Sequence, residues 1–142
     1  MDAEVFERRY EVAGRDFANA GRVSTAIKDT LKRLGIQAAI VRRVAIASYE
    51  AEMNVVMYAA HAQFCLTVSP EAVAIEVEDT GPGIEDIGLA MQEGYSTATP
   101  EMREMGFGAG LGLPNIRKNA DDFAIESEVG RGTRLTIRVR QV

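Results

Sequence analysis

One apolar stretch carries the first residues that could do chemistry. Arg43, Ala47, Glu50, Asn54, Tyr58 and His61 recur at three- and four-residue steps, so a helix over 38–61 places them on one face. Glu50 and Asn54 are neighbours one turn apart on it. Ala45-Ile46-Ala47 precedes the pair and Val55-Val56-Met57 follows it. A carboxylate and a carboxamide in so apolar a helix should face a partner or a ligand, although a solvated helix face is the commoner setting for such a pair.

A second candidate lies at the end of a strand. Val73, Ile75 and Val77 alternate onto one face, and Asp79 is next on that face, followed by Thr80-Gly81-Pro82-Gly83. A carboxylate that ends an apolar strand face points to the core side and needs a donor. An adenine amino group would be one; an Asp that merely opens a turn before Gly is the other reading. The third candidate is Gly106-Phe107-Gly108-Ala109-Gly110-Leu111-Gly112-Leu113, which runs into a helix beginning near Leu113. Backbone N–H groups at closely spaced glycines, together with a helix N-terminus, favour an anion. The run is neither a dinucleotide fingerprint, which would need Gly at Leu111, nor a Walker A loop, which would need Gly-Lys-Ser/Thr. Thr133, after Gly132, opens the last strand with a hydroxyl that could reach the same pocket. His61 is the only histidine and Cys65 the only cysteine, so a zinc site is not expected.

These residues must be positioned by an α+β framework. An edge strand is read over 4–13, with Phe6, Arg8, Tyr10 and Val12 on one side. A helix from Asn19 to Leu34 ends at Gly35. Strands follow at Phe64–Val68 and Ala72–Asp79 around a Ser69-Pro70-Glu71 turn, then a short helix marked by Ile84, Ile87 and Met91. Residues 93–112 have no period and form a long loop. Strands at Phe123–Val129 and Thr133–Val139 flank a Gly130-Arg131-Gly132 hairpin. Helices and strands segregate, which predicts a two-layer sandwich: a mixed, mostly antiparallel sheet with helices packed on one face. Of the 13 glycines, eight fall within 81–112, which marks that region for close backbone approach to a ligand.

Composition narrows the function classes. The chain has 142 residues, the length of one domain, and 46% hydrophobic and 26% charged residues, as soluble globular proteins have. The net charge of −5 argues against nonspecific nucleic-acid binding. No apolar run approaches the ~20 residues of a membrane span, and no secretory signal is visible. A cytoplasmic protein that engages neither nucleic acid nor membrane is expected.

In order and spacing, Glu50-x-x-x-Asn54, Asp79-x-Gly81-x-Gly83, the Gly106–Gly112 run and Gly132-Thr133 resemble the Bergerat ATP-binding fold shared by gyrase, Hsp90, histidine kinases and MutL. The resemblance covers nearly the whole chain, read as a single domain over 1–142. Arg22-Val23-Ser24-Thr25-Ala26-Ile27, Glu93-Gly94-Tyr95-Ser96-Thr97 and Gly110-Leu111-Gly112-Leu113-Pro114 are similar to the bacterial anti-sigma-factor and switch-kinase branch of partner-switching modules. That resemblance implies ATP and Mg²⁺ as ligands. It implies Asn54 as the metal ligand and Glu50 as general base toward an attacking hydroxyl. Asp79 would accept from adenine, with Thr133 helping through a water, and Gly81 and Gly83 would let the backbone pass close to the base. A lid over about 93–112 would supply Gly108, Gly110, Leu111 and Gly112 to the nucleotide. The implied activity is a serine/threonine protein kinase acting on a small protein substrate or antagonist, with a homodimer through the first strand, where Phe6 and Tyr10 offer contacts. The alternatives are a non-catalytic ATP-gated binding module and an isolated histidine-kinase-type catalytic domain. Tyr58 stands where many anti-sigma relatives have histidine, which favours the switch-kinase side. Arg103 is the only cation of the lid region. The lid residues 95–106 are expected to be poorly ordered without nucleotide.

Overall fold

The computed structural model describes residues 5–84, 86–92 and 112–142. Five strands form one sheet: β1 (Phe6–Ala13), β2 (His61–Val68), β3 (Ala72–Thr80), β4 (Asp122–Glu128) and β5 (Gly132–Arg140). The order across the sheet is β1-β2-β3-β5-β4, and all four pairings are antiparallel. The helices are α1 (Arg22–Arg33), α2 (Ala38–Tyr58), the short α3 (Ile87–Ala90) and α4 (Gly112–Lys118). This is the expected α+β sandwich.

Alternation builds the core. Ala62, Phe64, Leu66 and Val68 of β2, Val73, Ile75 and Val77 of β3, and Leu135, Ile137 and Val139 of β5 all turn to one face and are buried. Ile27 and Leu31 of α1 and Val44, Ala47, Ala51 and Val55 of α2 cover them in a single cluster. Each large side chain removed from water contributes roughly 1.5–3 kcal/mol, so this face alone accounts for the two-layer arrangement. The opposite face is polar. There Arg134 meets Glu76 at 3.0 Å, and Arg138 and Arg140 meet Asp122 at 3.3 and 2.9 Å. Arg134, Arg138 and Arg140, which alternate with Leu135, Ile137 and Val139, are thus matched by acids on neighbouring strands.

Element ends explain where expectation and structure part. α1 starts at Arg22 rather than Asn19, because Gly21 is left-handed at φ 94°. It stops where expected: Gly35, at φ 76°, donates to the Lys32 carbonyl, and Ile36 donates to the Leu31 carbonyl. α2 ends at Tyr58, not 61. The Ala59 backbone is extended, and the Ala60 amide donates to the Thr80 carbonyl at 2.7 Å, so sheet pairing takes over. His61 therefore opens β2 and leaves the face of Glu50 and Asn54; its Nε2 lies 3.0 Å from Glu11. β1 is an edge strand as expected. Phe6 and Tyr10 turn inward against the core, however, and the Tyr10 hydroxyl lies 3.4 Å from the Thr30 hydroxyl, so they are not free for an external contact. Among the described residues, no helix is long and apolar enough to cross a membrane.

Candidate functional site

The site grows from α2. This helix is buried along most of its length, and Glu50 and Asn54 are half-buried on its one side that is not sealed by the sheet. The start of α4 lies against both. Asn115 donates through Nδ2 to Glu50 Oε2 at 2.8 Å. Gly112 lies so close to Asn54 that an added Cβ would sit 2.9 Å from Asn54 Oδ1. A hydrogen at position 112 is what leaves the carboxamide its room. Arg43, read from sequence onto the same face, is drawn aside to an ion pair with Asp121, 3.0 Å away.

β3 supplies the second wall. Asp79 continues the buried face of Val73, Ile75 and Val77 and is itself half-buried. Burial pushes its carboxyl above the ordinary range, and the backbone N–H of Thr133, 3.0 Å from Oδ1, partly offsets this. Thr133 thus reaches Asp79 through its amide; its hydroxyl is engaged with Ser127 Oγ at 2.8 Å. The turn after β3 packs back on α2: Gly81 lies against Ala59, where a Cβ would be 3.0 Å from the Ala59 Cα. Gly83 is left-handed at φ 76°, and a Cβ there would lie 2.4 Å from the Glu128 carbonyl oxygen, so only glycine suits both the dihedral and the contact. Contacts thus tie α2 to the α4 start, and the end of β3 with its Gly81–Gly83 turn to the β5 start and to Ala59 just past α2. Of the predicted residues, Glu50, Asn54 and Gly112 come together at the α4 start, and Asp79, Thr133 and the Gly81–Gly83 turn come together at the end of β3. Gly108, Gly110, Leu111 and Arg103, and the expected disorder of 95–106, lie outside the described residues.

Three contributors were not legible beforehand. Asn115 holds Glu50. Ser127 accepts from the Ile84 amide at 2.8 Å and donates to the Gly132 carbonyl at 3.1 Å, tying the turn to the β4–β5 hairpin. Glu52, 2% exposed, accepts from the amides of Gly21, Val23 and Ser24 at 3.1, 3.1 and 2.8 Å. It caps α1 from a different helix, since Gly21 has no side chain to do so. A buried carboxylate in an apolar helix is itself a sequence signal; its backbone partners are not. Among the described residues no group of three or more His, Cys, Asp and Glu is arranged to hold a metal ion.

A carboxylate and a carboxamide one turn apart on a buried helix, and a half-buried aspartate followed by a glycine turn, go with a known family. Residues 42–142 match the histidine kinase-, DNA gyrase B-, and HSP90-like ATPases, and the chain belongs to that family. It is 30% identical over 112 residues to the serine/threonine-protein kinase RsbT of Bacillus subtilis (strain 168), a match covering 76% of this chain and 78% of that one. It is also 39% identical over 66 residues to the anti-sigma F factor of Thermoanaerobacter sp. (strain X514), covering 46% of this chain and 43% of that one. The anti-sigma F factor of Clostridium acetobutylicum is 32% identical over 74 residues, 52% of this chain and 48% of that one.

Proposed function

We propose that this chain is a Mg-ATP-dependent serine/threonine protein kinase of switch-kinase type that phosphorylates a small antagonist protein in a cytoplasmic signalling cascade. The observation that carries the reading is the pairing of Glu50 and Asn54 on one turn of α2, each met by the start of α4. The likeness to a serine/threonine kinase over most of both chains supports it.

The residues present suit the ligands. Asp79 is a half-buried carboxylate ready to accept from the amino group of adenine. The Asn54 carboxamide oxygen is a hard donor of the kind magnesium takes, and the hydrogen of Gly112 keeps a cradle open beside it. When bound, magnesium neutralises phosphate charge. Glu50 takes the proton of the acceptor hydroxyl as that oxygen bonds to the γ-phosphorus and the bridging oxygen leaves with ADP. Asn115 keeps the Glu50 carboxylate oriented. Thr133 fixes Asp79 through its amide, and Gly81 and Gly83 let the backbone run close to the base. Gly108, Gly110 and Leu111 would complete the phosphate contacts with Gly112. Such a sparse set suffices, because phosphoryl transfer asks chiefly for positioning and charge neutralisation.

The test pairs calorimetry with Mg-ATP and radiolabel transfer to the proteins encoded beside this one. Glu50→Gln should keep the ATP affinity and lose about 10²–10⁴ in transfer rate. Asn54→Ala should weaken both. Wild-type protein that binds Mg-ATP yet labels none of those proteins would favour an ATP-gated binding module instead, and transfer by Glu50→Gln at the wild-type rate would remove Glu50 from the role of base.

A further inference from the structure

A groove of about 690 Å³ runs between α1 and α2 on the side away from the sheet. Its floor is apolar: Ile36, Val41, Ile46 and Tyr49 line it. Ile46 and Tyr49 are 38% and 46% exposed, and Leu34, close by in sequence to Ile36, is 43% exposed, so three of the six large apolar side chains left in water among the described residues belong to this region. An exposed apolar strip bounded by charge marks an interaction surface more often than chance.

The rim is cationic. Lys28 and Lys32 stand one turn apart on α1, and Arg42 faces them from α2. Among the described residues none of the three makes an ion pair. Arg9, Arg43, Arg131, Arg134, Arg138 and Arg140 do, while Arg8, Arg22, Arg33 and Arg117 make none among the described residues either; what sets the three apart is that they border one apolar strip. A protein of net charge −5 thus leaves three unmatched cations around one apolar strip. The lining runs along α2 from Ala38 to Glu50, roughly 18 Å at 1.5 Å per residue. That is three turns of helix, or five to six residues of extended chain at about 3.3 Å each. Its last residue is Glu50, the proposed base, whose carboxylate is turned toward α4 by Asn115.

We infer that this groove docks a segment of the protein substrate that carries Asp or Glu beside apolar side chains, with the acceptor hydroxyl delivered at its Glu50 end. The inference rests on the kinase reading only for the delivery of the hydroxyl; the binding itself follows from the charge and the floor. The apolar floor and the carboxylate at one end disfavour a nucleic-acid strand, whose phosphates would want cations throughout and no buried aliphatic contact. Complementary charge sets the register and the partner choice, and the apolar contacts hold the complex.

A positional-scanning peptide array of serine-containing peptides, read first by binding and then by transfer from radiolabelled Mg-ATP, tests this on the whole chain. Wild-type protein should select peptides enriched in Asp and Glu next to Leu, Ile or Phe. The charge reversal Lys28→Glu/Lys32→Glu/Arg42→Glu should weaken their binding at least tenfold and turn the preference toward Lys and Arg, while the ATP affinity and the thermal midpoint stay as in the wild type. Ile46→Glu, which leaves the rim intact, should also lose the acidic peptides. Unchanged selection by the reversal variant, or binding of a 20-mer oligonucleotide with no peptide selected, overturns the groove. The two readouts separate the failures. Groove-dependent binding without labelling overturns the kinase reading and keeps the docking surface; labelling indifferent to the three charges does the reverse.

Discussion

Burial holds the Asp79 carboxyl above its usual range, and the Thr133 amide offsets this only in part. The folded state therefore binds a proton more readily at this site than the unfolded chain does. Stability falls as pH rises from the ordinary carboxylate value through the raised one, and neutral pH carries the full deficit. Asp79→Asn removes it. The nucleotide-free variant is expected to melt above the wild type at pH 7, and the gap should close as the pH is taken below the ordinary carboxylate range; scanning calorimetry at the two pH values reads both. The same substitution should weaken ATP binding by about 30- to 150-fold, the loss of roughly 2–3 kcal/mol from a charge-assisted hydrogen bond to adenine. A variant less stable than the wild type at both pH values would contradict the account of Asp79. For Asn115→Ala, the expected outcome is a split: an ATP affinity within twofold of the wild type and a transfer rate about tenfold lower, because only the orientation of Glu50 is lost. An equal fall in both would make Asn115 a structural residue only. Glu50, Asn54 and Asp79 were legible in the sequence because each is a polar residue in an apolar run. Asn115 and Ser127 were not, because each is an ordinary polar residue whose meaning lies in a contact far along the chain, Asn115 with Glu50 and Ser127 with Ile84.

At the scale of elements, α2 does two jobs at once. It displays Glu50 and Asn54 to the site, and from its opposite side Glu52 seals the start of α1 with three backbone hydrogen bonds. Glu52→Gln sets an amide N–H₂ against backbone donors in a buried place and should cost about 2–3 kcal/mol in urea unfolding, with ATP binding retained in the folded fraction. A loss below about 0.5 kcal/mol would mean that the cap is not needed. Gly112→Ala is expected to do the opposite. The new methyl group would press on the mobile end of Asn54, so folding should change little while Mg-ATP affinity falls by tenfold or more in calorimetry. The helices and strands were readable from periodicity, since each buries one face. Their ends were less so. The start of α1 depends on a carboxylate 31 residues away from Gly21, and the end of α2 on a carbonyl of β3 that draws the chain into the sheet. Gly21 marks the first locally, but the partners that complete both ends lie far along the chain.

For the whole molecule, the sheet ends in β1, whose outer edge pairs with no described strand. We expect a homodimer to form along this edge by backbone pairing rather than through Phe6 and Tyr10, which are turned into the core. Sedimentation at tens of micromolar should show the dimer, and slowed hydrogen exchange confined to the outer amides of β1 should locate it; a monomer at that concentration would end the idea. The segregated order of helices and strands was enough to reach the two-layer fold, but not the strand order, which depends on which hairpins dock beside which. That order has a consequence for biogenesis. β1 is made before the other strands of the sheet, yet Ala13 must find His61 and Phe6 must find Val68, so its partner among the described strands is made after both long helices. The loop it closes is long, as is the longer one closed by β3 and β5, and such closures are slow relative to the local β2–β3 and β4–β5 hairpins. While it waits, the nascent strand carries Glu7, Arg8, Arg9 and Glu11 among its apolar residues, charges that discourage pairing with neighbouring nascent chains. The strand made before its sheet neighbours thus waits for β2 before it is placed.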